Sequence, residues 1–128
     1  MAMSYLKSMS TTLRGWLGMS LASFALLLVP TAARADWGAI AVNPATGAIG
    51  VSSGYGTAVA AKHRARQECG EGGCLAAVWV LNQYAALVLK RNGIFVVGIG
   101  LTKHLAFHKA RERAHEQSAR RVAWVYSG

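Results

Sequence analysis

The chain is 128 residues long, with fourteen Lys and Arg against five Asp and Glu and a net charge of +9. That length suits one modest domain and excludes two full-sized ones. One Asp and four Glu leave no paired carboxylates for acid–base catalysis, and the basic balance points to anionic surfaces such as phospholipid headgroups, cell-wall acids or an acidic partner.

Lys7 and Arg14 open the chain, and residues 17–29 form an apolar run of thirteen. That is short of the ~20 needed to span a bilayer. Ala33-Arg34-Ala35 follows with the small residues that a signal peptidase requires. This predicts a secretory signal peptide over residues 1–35, cleaved near Ala35. One domain over 36–128 is then left in the periplasm or secreted, with no transmembrane segment. Without Lys7, Arg14 and Arg34, eleven basic residues face five acidic ones, so the exported part carries +6.

Residues 37–81 laid over 82–126 match at eleven of forty-five positions without a gap. The shared residues include Thr57/Thr102, Ala61/Ala106, His63/His108, Arg66/Arg111, Glu71/Glu116 and Trp79/Trp124. Such self-similarity makes the chain a tandem of two structural units. Each unit reads strand, turn, strand, helix, strand. In the first, strands over 37–42 and 48–53 flank a turn in which Pro44 presets φ and Gly47 permits a positive one. In the second, strands over 83–89 and 94–99 flank Asn92-Gly93, a strong hairpin signal.

A helix follows in each unit, with Thr57 or Thr102 placed to cap its first turn. Ala61, Ala65 and Cys69 recur every four residues, as do Ala106, Ala110 and Ala114. Stripes of small residues let helices lie close on a sheet. The final strands, 75–81 and 120–126, each carry a Trp. The fold class expected is α+β: a tandem ββαβ repeat, a mostly antiparallel sheet of about six strands packed by two alanine-rich helices. Residues 75–81 and 84–89 are apolar at nearly every position, which calls for cover on both sheet faces. Two helices roof one face of six strands. The other face therefore meets a sheet folded back on itself, a second copy or a partner.

Cys69 and Cys74 are the only cysteines. An even count in an exported chain implies a disulfide between them, closing a glycine-rich loop and stabilising by about 2 kcal/mol. The charged helix faces, Lys62, Arg64 and Arg66 in one and Lys103, Lys109, Arg111 and Arg113 in the other, are the candidate surface for an anion or partner. His104 and His108 stand one turn apart, a spacing that can share a metal. Lys103 and Arg111 repel a cation there, so no metal is assigned. His63 and His108 share a repeat position, which predicts a fold role over packed alanines. Gly54-Tyr55-Gly56 departs from a dinucleotide loop, since Val59 takes the third glycine position, and no nucleotide or other cofactor is expected. Ser52 and Ser53 lack a base, so an enzyme is not expected. Trp79 and Trp124, with Tyr84 and Tyr126, read as core anchors rather than as a stacking platform.

Taken together, Trp37-Gly-Ala-Ile-Ala-Val-Asn-Pro-Ala-Thr-Gly, the alanine-rich stretch 58–65, Cys69-Gly70, Cys74 and Ala77-Val-Trp79 resemble domain-of-unknown-function family 4189. The resemblance runs over 36–128 and is most specific in the first half. It implies export, a repeated fold with two alanine-rich helices, and no assigned activity. Members of that family often carry a second Cys pair where this chain has Ala114 and Ala119, and another Cys near Tyr84. The resemblance thus implies that one disulfide is missing here. The function expected is a non-enzymatic exported protein-interaction module of inhibitor or neutraliser type, acting on a protein partner or by self-association. A basic binder of anionic envelope polymers or lipids comes second, and a small hydrolase third.

Overall fold

The computed structural model of the protein describes residues 35–128, so the expected signal peptide lies outside the described residues. The elements in order are β1 (Trp37–Val42), β2 (Ile49–Tyr55), α1 (Ala58–Cys69), β3 (Leu75–Leu81), β4 (Gln83–Leu89), β5 (Phe95–Gly100), α2 (Lys103–Ala114) and β6 (Arg120–Ser127). This is the expected tandem ββαβ. The strands form two antiparallel sheets of three, ordered β2-β1-β3 and β5-β4-β6.

The alternation of strand faces explains the layering. Ala39 and Ala41 of β1 pack on Ala61, Ala65 and Cys69 of α1. Their neighbours Ile40 and Val42 turn the other way and meet Ala85, Leu87 and Val125 of the second sheet. Ala86 and Val88 of β4 pack on Ala106, Phe107, Ala110 and Ala114 of α2. The layers are therefore helix, sheet, sheet, helix. The second face of each sheet meets the other sheet, which is the folded-back arrangement. A chain of this size gains a third buried interface that way without a partner.

Both helices are capped as expected. Thr57 Oγ1 accepts from the Ala60 amide and Thr102 Oγ1 from the Leu105 amide, each at 3.1 Å. The alanine stripes are buried, and two glycines complete the close approach. A Cβ on Gly50 would overlap the Ala65 carbonyl oxygen and the Cys69 amide, and one on Gly98 would overlap the Ala106 carbonyl and the Ala110 amide. Asn82 alone joins β3 to β4, at φ 55°, a region that Asn tolerates better than most residues. The sheets are tied again where the Ser127 hydroxyl donates to the Val80 carbonyl at 2.7 Å, buried.

The repeated glutamates have a shared task. Glu71 accepts from the Asn43 side-chain amide at 2.7 Å and the Thr46 hydroxyl at 2.5 Å. Glu116 accepts from the Arg91 amide at 3.1 Å. Each glutamate thus ties the loop after its helix to the hairpin turn of its own repeat. Cys69 and Cys74 form the expected disulfide, with Cα atoms 6.3 Å apart.

Candidate functional site

The two tryptophans are not core anchors. Trp79 is 44% and Trp124 46% exposed. Each lies on an outer strand, on the face that its helix only partly roofs, because the helices sit mainly over the two other strands of each sheet. A lysine covers each ring instead. Lys62 Nζ stands 4.2 Å from the Trp79 ring centroid and Lys103 Nζ 4.4 Å from that of Trp124.

These lysines do not align in the repeat. Lys62 corresponds to Phe107 and Lys103 to Ala58, one helical turn away. The sheet registers explain the change. Ala41 and Ala86 are equivalent, and they pair with Gly50 and Gly98. The first hairpin therefore spans nine residues between partners and the second twelve. From the glycine to the helix cap the count is seven in the first repeat and four in the second. Tyr55 at the end of β2 pairs with Trp37, whereas Gly100 at the end of β5 pairs with Tyr84, the counterpart of Ala39, so an irregularity in β2 absorbs one residue and helix α2 starts two strand residues earlier than α1. Trp79 pairs with Ala39, whereas Trp124 pairs with Ala86, the counterpart of Ala41. A shift of two strand residues is ~7 Å. Four helical residues rise ~6 Å. Helix and Trp have moved together along the sheet, and the lysine has changed position to stay above the ring.

The second repeat carries a feature built from side chains that the first repeat does not have at the matching positions. Lys103, Phe107, Arg121 and Trp124 line a cleft of about 240 Å³ between the start of α2 and β6. Arg121 lies 4.7 Å from the centroid of the Phe107 ring, and Phe107 is buried beneath it. Both cations are thus held on aromatic faces, an arrangement that leaves their charge uncancelled by a carboxylate. Among the described residues the ion pairs lie elsewhere, Arg64–Glu68 and Arg91–Glu116, and His108 Nε2 stands 2.8 Å from Glu112. The first repeat has Ala58, Lys62 and Ala76 at the matching positions. Tyr84 extends the aromatic surface, 6.0 Å from Trp124 and 4.6 Å from Tyr126 between ring centroids.

The predicted basic faces are dispersed rather than joined, since α1 and α2 lie on opposite outer layers. Arg64 pairs with Glu68 at 2.5 Å. Arg111 donates to the Ala119 carbonyl and Arg113 to the Val97 carbonyl. Arg66 and Lys109 are exposed. Arg121 escaped the sequence reading, for want of any signal that β6 would bring it over a helix residue.

The histidines do not cover packed alanines. His63 and His108 are exposed and reach one turn along their helices, to Gln67 at 3.1 Å and Glu112 at 2.8 Å. His104 is exposed on the same helix as His108, and among the described residues no group of three His, Cys, Asp or Glu is placed to hold a metal. Ser52 is buried and donates to the Ala61 carbonyl at 2.6 Å.

Among known proteins, the family model described as domain of unknown function (DUF4189) matches residues 37–125. No curated protein matches the chain. The solution structure of Rv1813c from Mycobacterium tuberculosis is similar, with a TM-score of 0.57 and 27% identity over 77% of this chain and 80% of that one.

Proposed function

The chain belongs to the domain-of-unknown-function family DUF4189, and from that premise we propose a non-enzymatic, exported binding module. Its ligands are anionic groups of envelope polymers or lipids, held in the Lys103–Arg121 cleft. The observation that carries this reading is the placement of two cations on ring faces, in a concavity with no acidic residue lining it. Such cations keep their attraction for a phosphate or carboxylate, and the planar guanidinium of Arg121 suits bidentate contact with either.

The alternative of a protein partner drew on surplus apolar strand surface. Along β4 that surplus is gone, because Ala85, Ala86, Leu87 and Val88 are fully buried between α2 and the first sheet. On β3 Leu75 and Trp79 stay exposed, though Lys62 covers the Trp79 ring, so what favours the anionic ligand is the pair of cations on ring faces in the cleft.

Binding of purified protein to polyphosphate and to anionic vesicles, titrated against salt, tests it. The expected result is affinity that falls steeply as salt rises. It should also fall in the variant Lys103→Ala/Arg121→Ala but hold in Arg64→Ala/Arg66→Ala. Salt-independent binding, or equal binding by all three proteins, would reject the cleft.

A further inference from the structure

The outer face of the second sheet carries an aromatic row that continues from the cleft. On β4 and β6 the pairs Tyr84–Tyr126, Ala86–Trp124 and Val88–Arg121 share the face that packs on α2. The last pair depends on the register shift after Leu87. Regular pleating would set Val122 on the face of Trp124. The shift sets Arg121 there instead, and Val122 packs with the core between the sheets. Arg121, Trp124 and Tyr126 thus follow one another along β6 over about 16 Å, with Lys103 above Trp124. Trp124 and Tyr126 each keep 46% of their surface exposed, and the half-buried Tyr84 lies beside both. The first repeat has Ala39 and Leu81 where the second has these two tyrosines. The tyrosines and the two uncancelled cations therefore belong to the same repeat.

We propose that this strip, which rests on the cleft being an anion site, binds a chain of uronic acids, sugars that carry a carboxylate on the ring. The C–H face of a sugar is apolar and polarised, and it settles on the electron-rich faces of Trp and Tyr rings. The phenol hydroxyls of Tyr84 and Tyr126 can donate and accept, which suits the hydroxyls around a sugar. The charge has to sit on the stacked sugar itself, because Lys103 Nζ is only 4.4 Å from the Trp124 centroid. A carboxylate attached to the ring meets that condition, and Lys103 and Arg121 hold it by charge-assisted hydrogen bonds.

Other anions use less of the strip. A phosphate or lipid headgroup engages the cations and leaves the tyrosines idle. An acyl chain would meet an open face bearing hydroxyls instead of an enclosed apolar one. Single-stranded nucleic acid is held by successive stacked bases and by cations that track its backbone. Here Tyr84 is tilted by 35° to Trp124 and by 37° to Tyr126, and both cations stand at the Trp124 end, in a cleft that no tyrosine lines.

Calorimetric titration of the purified protein with galacturonate oligomers of increasing length tests the assignment. Affinity should rise with length until the strip is covered and then level off. The methyl-esterified oligomers keep the sugar faces but lose the charge, and they should bind at least about tenfold more weakly. Tyr126→Ala should weaken the acidic oligomers about tenfold, Tyr126→Phe should recover most of that, and neither should move polyphosphate affinity by more than about twofold. In the parent protein, with no substitution, the oligomers should shift the indole N–H resonance of Trp124 and leave that of Trp79 in place. Polyphosphate binding untouched by Lys103→Ala/Arg121→Ala rejects the cleft as an anion site. Polyphosphate binding lost in that variant, with acidic oligomers that bind no better than their esters or equally well to Tyr126→Ala, keeps the anion site and overturns the glycan. Tighter binding of anionic vesicles or of single-stranded DNA than of the oligomers overturns it too.

Discussion

Trp124 pairs across the sheet with Ala86, two residues from the Tyr84 that strict repetition of the Trp79–Ala39 pair would require. The second helix and its following strand have slid as one body along β4. The ungapped sequence alignment conceals this, because a hairpin longer by three residues is cancelled by an approach to the helix shorter by three.

The slide makes the lysine positions specific to each repeat. Moving the lysine of the first repeat to the position used in the second, as Lys62→Ala/Ala58→Lys, should leave Trp79 uncovered. Quenching of Trp79 fluorescence by acrylamide should rise as much as in Lys62→Ala alone. Each single lysine removal should cost about 0.5–1 kcal/mol, the worth of an exposed cation–π contact, in urea unfolding.

Helix seating depends on two glycines. Gly50→Ala and Gly98→Ala each put a methyl into helix backbone, which cannot yield as a flexible side chain would. Each should destabilise by about 1–3 kcal/mol or more. Gly56→Ala has no neighbour within 4 Å, and its effect should stay within about 0.5 kcal/mol. Thermal unfolding of the three variants measures the contrast.

Ala114 and Ala119 occupy the repeat positions of Cys69 and Cys74, and both are buried, at 2% and 1% exposure. Ala114→Cys/Ala119→Cys should therefore form a second disulfide on oxidation. The gain expected for so short a loop is about 2 kcal/mol, abolished by a reductant. Mass spectrometry after alkylation counts the free thiols, and a paired thermal melt gives the stability.

The two equivalent glutamates should differ. Glu71→Ala strips the partner from the Asn43 side-chain amide, and Asn43 is a buried residue. Leaving such a donor unsatisfied costs about 1–3 kcal/mol. Glu116→Ala frees the exposed Arg91 amide, which water can serve. Chemical denaturation should rank Glu71→Ala as the more damaging by at least about 1 kcal/mol.

Much of this fold was legible from local chemistry. Thr57 and Thr102, the alanine stripes and the Asn92-Gly93 turn each specify a nearby backbone geometry, and they marked helices and hairpins within a residue or two. The consecutive apolar residues of β4 also announced a strand covered twice. The same pattern misled for β3, where Leu75 and Trp79 are exposed. Hydrophobicity does not tell a central strand from an outer one, and β3 lies at the edge of its sheet. The Lys103–Arg121 cleft was illegible for a related reason. It depends on a bulge between Leu87 and Val88 pairings and on a three-residue compensation between loops, neither of which alters the spacing of the repeat.

Asn82 has one more consequence, for the number of chains in the fold. It is the whole joint between two halves that each hold a complete ββαβ unit. Were its backbone extended, β3 and β4 would run on as one long strand, and the two halves of a chain would part. The core between the sheets would then form only by exchange, each chain lending a half to another. Asn82→Val, with a β-branched residue that resists a positive φ, should shift purified protein toward such an exchanged dimer. Light scattering would register the change, and an unaltered mass would show that the corner is held by the sheets rather than by its own residue.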